Sequence, residues 1–214
     1  MGLQKGYRKP VMLVLSTFVM AVLWALLPKA AWAGGIPTAT LDVPGESFIG
    51  EDFDFTVTFD NTSATDVGYG PFVDLIFPVN GADGAAGTDT PDGVDFISAT
   101  YLGTPVTATE LTFPDNGGGT GCVDHPYAVG TSGAPLQVCG TAGDKLVVLQ
   151  LPFGSFTNDQ PPAAITVHAR ISNLADLNTP LTIQARGGFQ YGNDPLNDPA
   201  TDPSIVQNPW TLRL

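Results

Sequence analysis

Two cysteines, two histidines and a large excess of aspartate are the residues of this chain whose chemistry follows from type and spacing. Cys122 and Cys139 flank a stretch that holds His125-Pro126-Tyr127, with Gly117-Gly118-Gly119-Thr120-Gly121 just before it. An even pair closing a loop of about eighteen residues reads as a disulfide, stabilising by about 3 kcal/mol in the chain-entropy model. One His and two Cys are too few donors for a structural zinc site.

The acids and amides gather in two loops. The first offers Asp83, Asp89, Asp92 and Asp95 with Asn80 nearby; the second offers Asn193, Asp194, Asn197, Asp198 and Asp202. Calcium takes roughly six to eight hard oxygens, which such loops can supply, and the denser second loop is the expected calcium site. Neither loop has EF-hand spacing, and the same residues are good turn formers. His125 lies beside Asp124, but no Gly-x-Ser-x-Gly elbow supplies a nucleophile for it. No two carboxylates stand out as a glycosidase pair. His168, between Val167 and Ala169, is expected on the solvent side of a strand. Tyr69, Tyr101, Tyr127, Tyr191 and Trp210 offer either a sugar-stacking platform or core. Asn61-Thr62-Ser63 fits both the N-glycosylation pattern and a plain turn. These residues carry no catalytic constellation, and the expectation is a chain that is not an enzyme.

The elements that must position these residues begin after a leader. Lys5, Arg8 and Lys9 precede an uncharged apolar run from Val11 to Leu27, and Ala31-Trp32-Ala33 follows. That is the layout of a secretory signal peptide cleaved after Ala33. It predicts an extracellular or cell-surface protein in which disulfides persist, with no membrane span once the leader is gone. Four of the eight basic residues lie in the leader and none of the 21 acids does, so the remaining chain carries four bases against 21 acids, a net charge of −17. Such a surface repels nucleic acid and anionic lipid and attracts cations.

Beyond Ala33 the apolar residues recur with period two. Phe53, Phe55, Val57 and Phe59 alternate with Asp52, Asp54, Thr56, Thr58 and Asp60, the pattern of a half-buried strand. Similar strands are predicted over 36–43, 72–77, 94–102, 106–113, 164–172, 181–190 and 205–214. The nearly all-apolar 145–151 suits a strand buried on both faces. Gly187-Gly188 reads as a bulge. About nine antiparallel strands with closely spaced turns predict an immunoglobulin-like β-sandwich, one domain over 34–214 with a stapled loop over 114–140. A jelly roll is the competing architecture.

Phe55-Thr56-Val57-Thr58-Phe59-Asp60-Asn61-Thr62-Ser63-Ala64-Thr65-Asp66-Val67, with Pro78 and Val94-Asp95-Phe96-Ile97-Ser98-Ala99 further on, resembles a repeat domain of bacterial surface proteins catalogued as domain of unknown function eleven. The similarity spans roughly 47–113. Tyr191-Gly192-Asn193-Asp194-Pro195-Leu196-Asn197-Asp198-Pro199 resembles segments that accompany such domains in large secreted bacterial proteins. The resemblance implies an immunoglobulin-like sandwich with a structural or adhesive role and supplies no catalytic residues. Other surface proteins or polysaccharide are the expected partners, and a calcium-dependent carbohydrate-binding module is the alternative.

Overall fold

The computed structural model describes residues 35–79, 93–129, 134–175, 180–191 and 211–213. The leader expected over 1–33 and most of the two loops that offer the calcium candidates, 80–92 and 192–210, lie outside the described residues. What is described is all β. The strands are β1 (Pro37–Asp42), β2 (Asp52–Asn61), β3 (Gly68–Phe77), β4 (Val94–Tyr101), β5 (Thr104–Pro105), β6 (Thr107–Thr112) and β7 (Thr120–Val129). They continue as β8 (Pro135–Thr141), β9 (Lys145–Gln150), β10 (Ser155–Phe156), β11 (Ala163–Ile171), β12 (Ile183–Tyr191) and β13 (Thr211–Arg213).

Period-two alternation decides which side of each strand is buried. Along β2, Phe55, Val57 and Phe59 are buried, while Asp52 and Asp54 are exposed and Thr56 and Thr58 half-buried. Along β11, Ile165, Val167 and Ala169 face the same core. These faces meet Val73, Leu75, Val147, Leu149, Ala185 and Phe189 from the opposite sheet. Phe59 stands between the layers, edge-on to Phe156 at 5.3 Å and to Phe189 at 5.6 Å.

The first sheet runs β1-β2-β11-β4-β5 and the second β13-β12-β3-β9-β6, with β10 also on β3; every pairing is antiparallel. In immunoglobulin order, β1-β2-β11-β4 take the A-B-E-D places and β13-β12-β3 the G-F-C places. The antiparallel sandwich expected from the alternation is therefore the observed one.

Among the described residues, thirteen strands stand where nine were expected. Two of the additions, β5 and β10, are two-residue pairings too short to leave a periodic signal. The other two, β7 and β8, form a hairpin inside the stretch expected to be a loop. This hairpin lies over the outer side of the second sheet. There Phe72, Ile76, Leu146 and Val148 meet Phe113, Ala128 and Val138 in a second apolar cluster. That is why β9 reads as apolar throughout: Val147 and Leu149 point into the sandwich, Leu146 and Val148 under the hairpin. The expected bulge at Gly187-Gly188 is absent. Both pair in regular register with Val73 and Phe72, and a Cβ on Gly188 would come within 2.1 Å of the Phe72 ring. These glycines admit close neighbours rather than an extra residue.

Candidate functional site

The hairpin carries three of the residues that the sequence singled out, Cys122, Cys139 and His125. Cys122 and Cys139 sit directly opposite each other on β7 and β8 and are joined as a disulfide. Both are exposed, while the neighbouring pair Val123 and Val138 faces the sheet. The disulfide therefore ties the hairpin to itself, not to the sandwich. Replacing both cysteines by serine is expected to lower stability by at most about 3 kcal/mol. Thermal melts should shift down, and the far-UV spectrum of the folded chain should not change.

Three residues far apart in sequence bind the hairpin to the sheet. Asp74 on β3 is fully buried in a strand otherwise rich in apolar residues. Its Oδ2 accepts Nη2–H of Arg186 at 2.6 Å and Nε–H at 3.2 Å. Its Oδ1 lies 2.8 Å from Nε2 of His125, whose side chain, like that of Asp74, is 0 % exposed; Arg186 is 11 % exposed. Nδ1 of His125 accepts the backbone N–H of Ala128 at 2.6 Å and of Tyr127 at 3.1 Å. An Nδ1 that accepts carries no proton, so the ring is the Nε2–H tautomer and donates to Asp74. The Phe72 ring lies 4.8 Å from the imidazole and packs edge-on to Tyr127. The cluster is a charged pair capped by a neutral imidazole, closed on all sides that its hydrogen bonds define. Asp124, the neighbour that the sequence suggested for His125, faces outward and accepts a hydrogen bond from Gln137.

The family-like segment has its own buried hub. Asn61 is 1 % exposed. Its Oδ1 accepts N–H of Ile36 at 2.9 Å and of Ser63 at 3.1 Å, and its Nδ2 donates to the carbonyls of Asp66 and Phe156, each at 2.9 Å. Ser63 and Asp66 exchange two further hydrogen bonds at 3.1 Å. Every capacity of this amide is used, so in the folded chain Asn61 is a tie between strands and not an open glycan acceptor. Asn61→Ala leaves several buried backbone groups without partners. It is expected to cost about 2–3 kcal/mol in denaturant unfolding.

The outer face of the first sheet is polar. His168 lies opposite Asp54 in the β11–β2 register, with Nδ1 2.5 Å from its carboxylate, and Arg170 lies opposite Asp52 at 3.4 Å. His168 is 36 % exposed, as its place on the strand implied. Where β1 stops pairing at Asp42 and Pro44 turns the chain away, a shallow groove of about 340 Å³ opens among Asp42, Val43, Pro44, Asp54, Phe55, Thr56 and Thr166.

The five predicted calcium ligands, Asn193, Asp194, Asn197, Asp198 and Asp202, lie outside the described residues, as do Asn80, Asp83, Asp89 and Asp92. Of the first loop only Asp95 is described, and it pairs with Lys145 at 3.2 Å. Among the described residues no group of three or more His, Cys, Asp or Glu is placed to hold a metal ion. Of the aromatic candidates, Tyr101 packs on Phe153, Tyr127 packs on Phe72, and Tyr69 lies opposite Tyr191 in the β3–β12 register; Trp210 and the Tyr191 side chain are not described.

One carboxyl near the base of the hairpin is strained by its surroundings. Burial pushes Asp144 above the ordinary 3.8, against the opposing pull of N–H from Val79 and the Thr141 side chain. A carboxyl raised in this way keeps its proton in the folded chain where the unfolded chain has already lost it. Stability therefore falls as pH climbs from 3.8 through the raised value, and is level above it. Asp144→Asn retains an acceptor for Val79 and removes the charge. We expect the variant to be at least as stable as the parent near neutral pH and to lose that part of the slope, read from unfolding midpoints across the acid range.

Fold and site together define an all-β antiparallel sandwich with an inserted, disulfide-bonded hairpin and a buried Arg–Asp–His clamp. No protein-family model matches the chain, and no curated protein matches it. Among solved structures, one described as AvmM, which catalyzes macrocyclization in alchivemycin A biosynthesis, aligns over 83% of this chain and 86% of its own at 12% identity and a TM-score of 0.44. A likeness at that level carries no argument about fold detail or activity.

Proposed function

We propose that the chain is a secreted or surface-displayed bacterial immunoglobulin-like module with a structural or adhesive role and no chemistry of its own. The observation that carries this reading is where the buried polar side chains are used. Asp74, His125 and Asn61 spend their hydrogen bonds joining strands to one another, and Ser63 spends its own within the turn after β2. The signal-like leader and the resemblance over 47–113 support the same reading. The alternative, a calcium-dependent carbohydrate-binding module, is favoured by the groove beside Asp42 and Asp54, whose lining combines these two acids with Thr56 and Thr166 and with Val43, Pro44 and Phe55.

Fluorescently labelled secreted chain, incubated with isolated bacterial envelopes, separates these readings. A structural or adhesive module is retained saturably, and EDTA does not release it. The alternative requires release by EDTA and competition by soluble polysaccharide. Absence of saturable retention would reject both.

A further inference from the structure

We propose that His125 is an acid-released latch that lets the β7–β8 hairpin lift from the second sheet as an intact unit. The observation behind this is the role of each ring nitrogen. Nε2–H donates to Asp74, while Nδ1 accepts two backbone N–H groups of its own strand, at 2.6 Å from Ala128 and 3.1 Å from Tyr127. A second proton can go only on Nδ1. It would then face two N–H donors at distances that only an acceptor can hold, in a site with no solvent at the ring.

The groups around the ring do not offset this. From β3 comes Asp74, whose other oxygen is already engaged by Arg186 of β12 through two N–H groups. A second cation on the same carboxylate gains a shared partner and is repelled by the guanidinium beyond it. From β9 come Leu146 and Val148, which carry no charge, and from β7 itself the Tyr127 phenol ring, which packs on Phe72. Asp124 faces outward.

Opening requires residues 125–128 of β7 to leave Asp74, and the contacts of Ala128 and Val138 with the sheet are lost with them, while Phe113, hydrogen-bonded to Asp144 just after β6, stays on the sheet. What is uncovered is an apolar face, Phe72, Ile76, Leu146 and Val148. The disulfide does not resist this movement, because it joins β7 to β8 and not either strand to the sandwich. It keeps the lifted hairpin paired and able to return.

The test is hydrogen exchange of the secreted chain, disulfide intact, at about pH 7.5 and about pH 5, scaled for the intrinsic pH dependence of amide exchange. The latch expects protection across β7 and β8 to fall at least about tenfold at the acid condition, while protection of β2 and β11 in the same molecules is retained. Equal retention in the hairpin and in β2 and β11 would overturn it. Asp144 cannot mimic the effect, since acidification through its range favours the folded chain. His125→Asn, which has no titrating ring, is expected to show hairpin protection that no longer depends on pH; a variant that still opens in acid would refute the latch. Should that variant fail to fold, ring-nitrogen NMR of the parent decides: protonation of His125 must coincide in pH with the loss of hairpin protection, and protonation without that loss would overturn the proposal.

Discussion

Asp74→Ala is expected to destabilise the chain by about 3–5 kcal/mol, the range seen when one partner of a buried charged pair is removed. The loss is large because of what remains. The Arg186 guanidinium is 11 % exposed and loses the carboxylate that holds it, and the Nε2–H of His125, on a side chain with no exposure, loses its acceptor. Screening by solvent cannot soften this, as it does for surface pairs such as Arg170 with Asp52. Asp74→Asn keeps the shape and one acceptor oxygen, and should fall between the parent and Ala. Denaturant unfolding of the three proteins orders them. An Ala variant within about 1 kcal/mol of the parent would mean that the cluster is not buried as described.

Phe59→Ala is the second large effect. Phe59 has no exposed surface and is an inward residue of β2 that packs edge-on against two rings of the opposite layer, Phe156 and Phe189. Truncation removes the burial of one ring, leaves a cavity between the sheets, and breaks two edge-on aromatic contacts. About 3–5 kcal/mol is expected, at the upper end if Phe156 and Phe189 cannot close the gap. Phe48, on the exposed segment between β1 and β2, is the contrast: 75 % exposed, it should tolerate alanine within about 0.5 kcal/mol. Equal effects at 59 and 48 would contradict the two-layer packing.

The sandwich was legible in the sequence because burial on one face writes itself into every second residue. Phe53 to Phe59 and Ile165 to Ile171 show this, and so does the unbroken apolar run of β9. The hairpin was not legible, because its strands are interrupted by Gly121, Pro126 and Gly140. Their alternation over Val123, His125, Leu136 and Val138 is too short to rise above that background. Gly140 itself is explained only by the fold, since a Cβ there would lie 2.4 Å from the Phe113 ring.

The clamp was illegible for a different reason. Asp74 is 51 positions from His125 and 112 from Arg186, and nothing local links them. Strand order alone brings β3 beside β12 and lays β7 over both. One signal was present all the same. Asp74 sits within Phe72-Val73-Asp74-Leu75-Ile76-Phe77, a run apolar on both sides, and Arg186 follows Ile183 and Ala185, inward residues of another strand. A single acid and a single base, each in a buried strand, imply each other, since neither charge is tolerated alone. The third member, His125, was read against its sequence neighbour Asp124 and is bound instead to a carboxylate across the second sheet.

The account rests on His125 being a neutral imidazole fixed between Asp74 and its own strand. Ring-nitrogen NMR of the disulfide-bonded chain at neutral pH tests this most directly. The expected spectrum has one proton, on Nε2, protected from solvent exchange, with Nδ1 unprotonated. A proton on Nδ1, or a ring averaging freely between tautomers, would contradict the clamp and with it the docking of the hairpin on the sandwich.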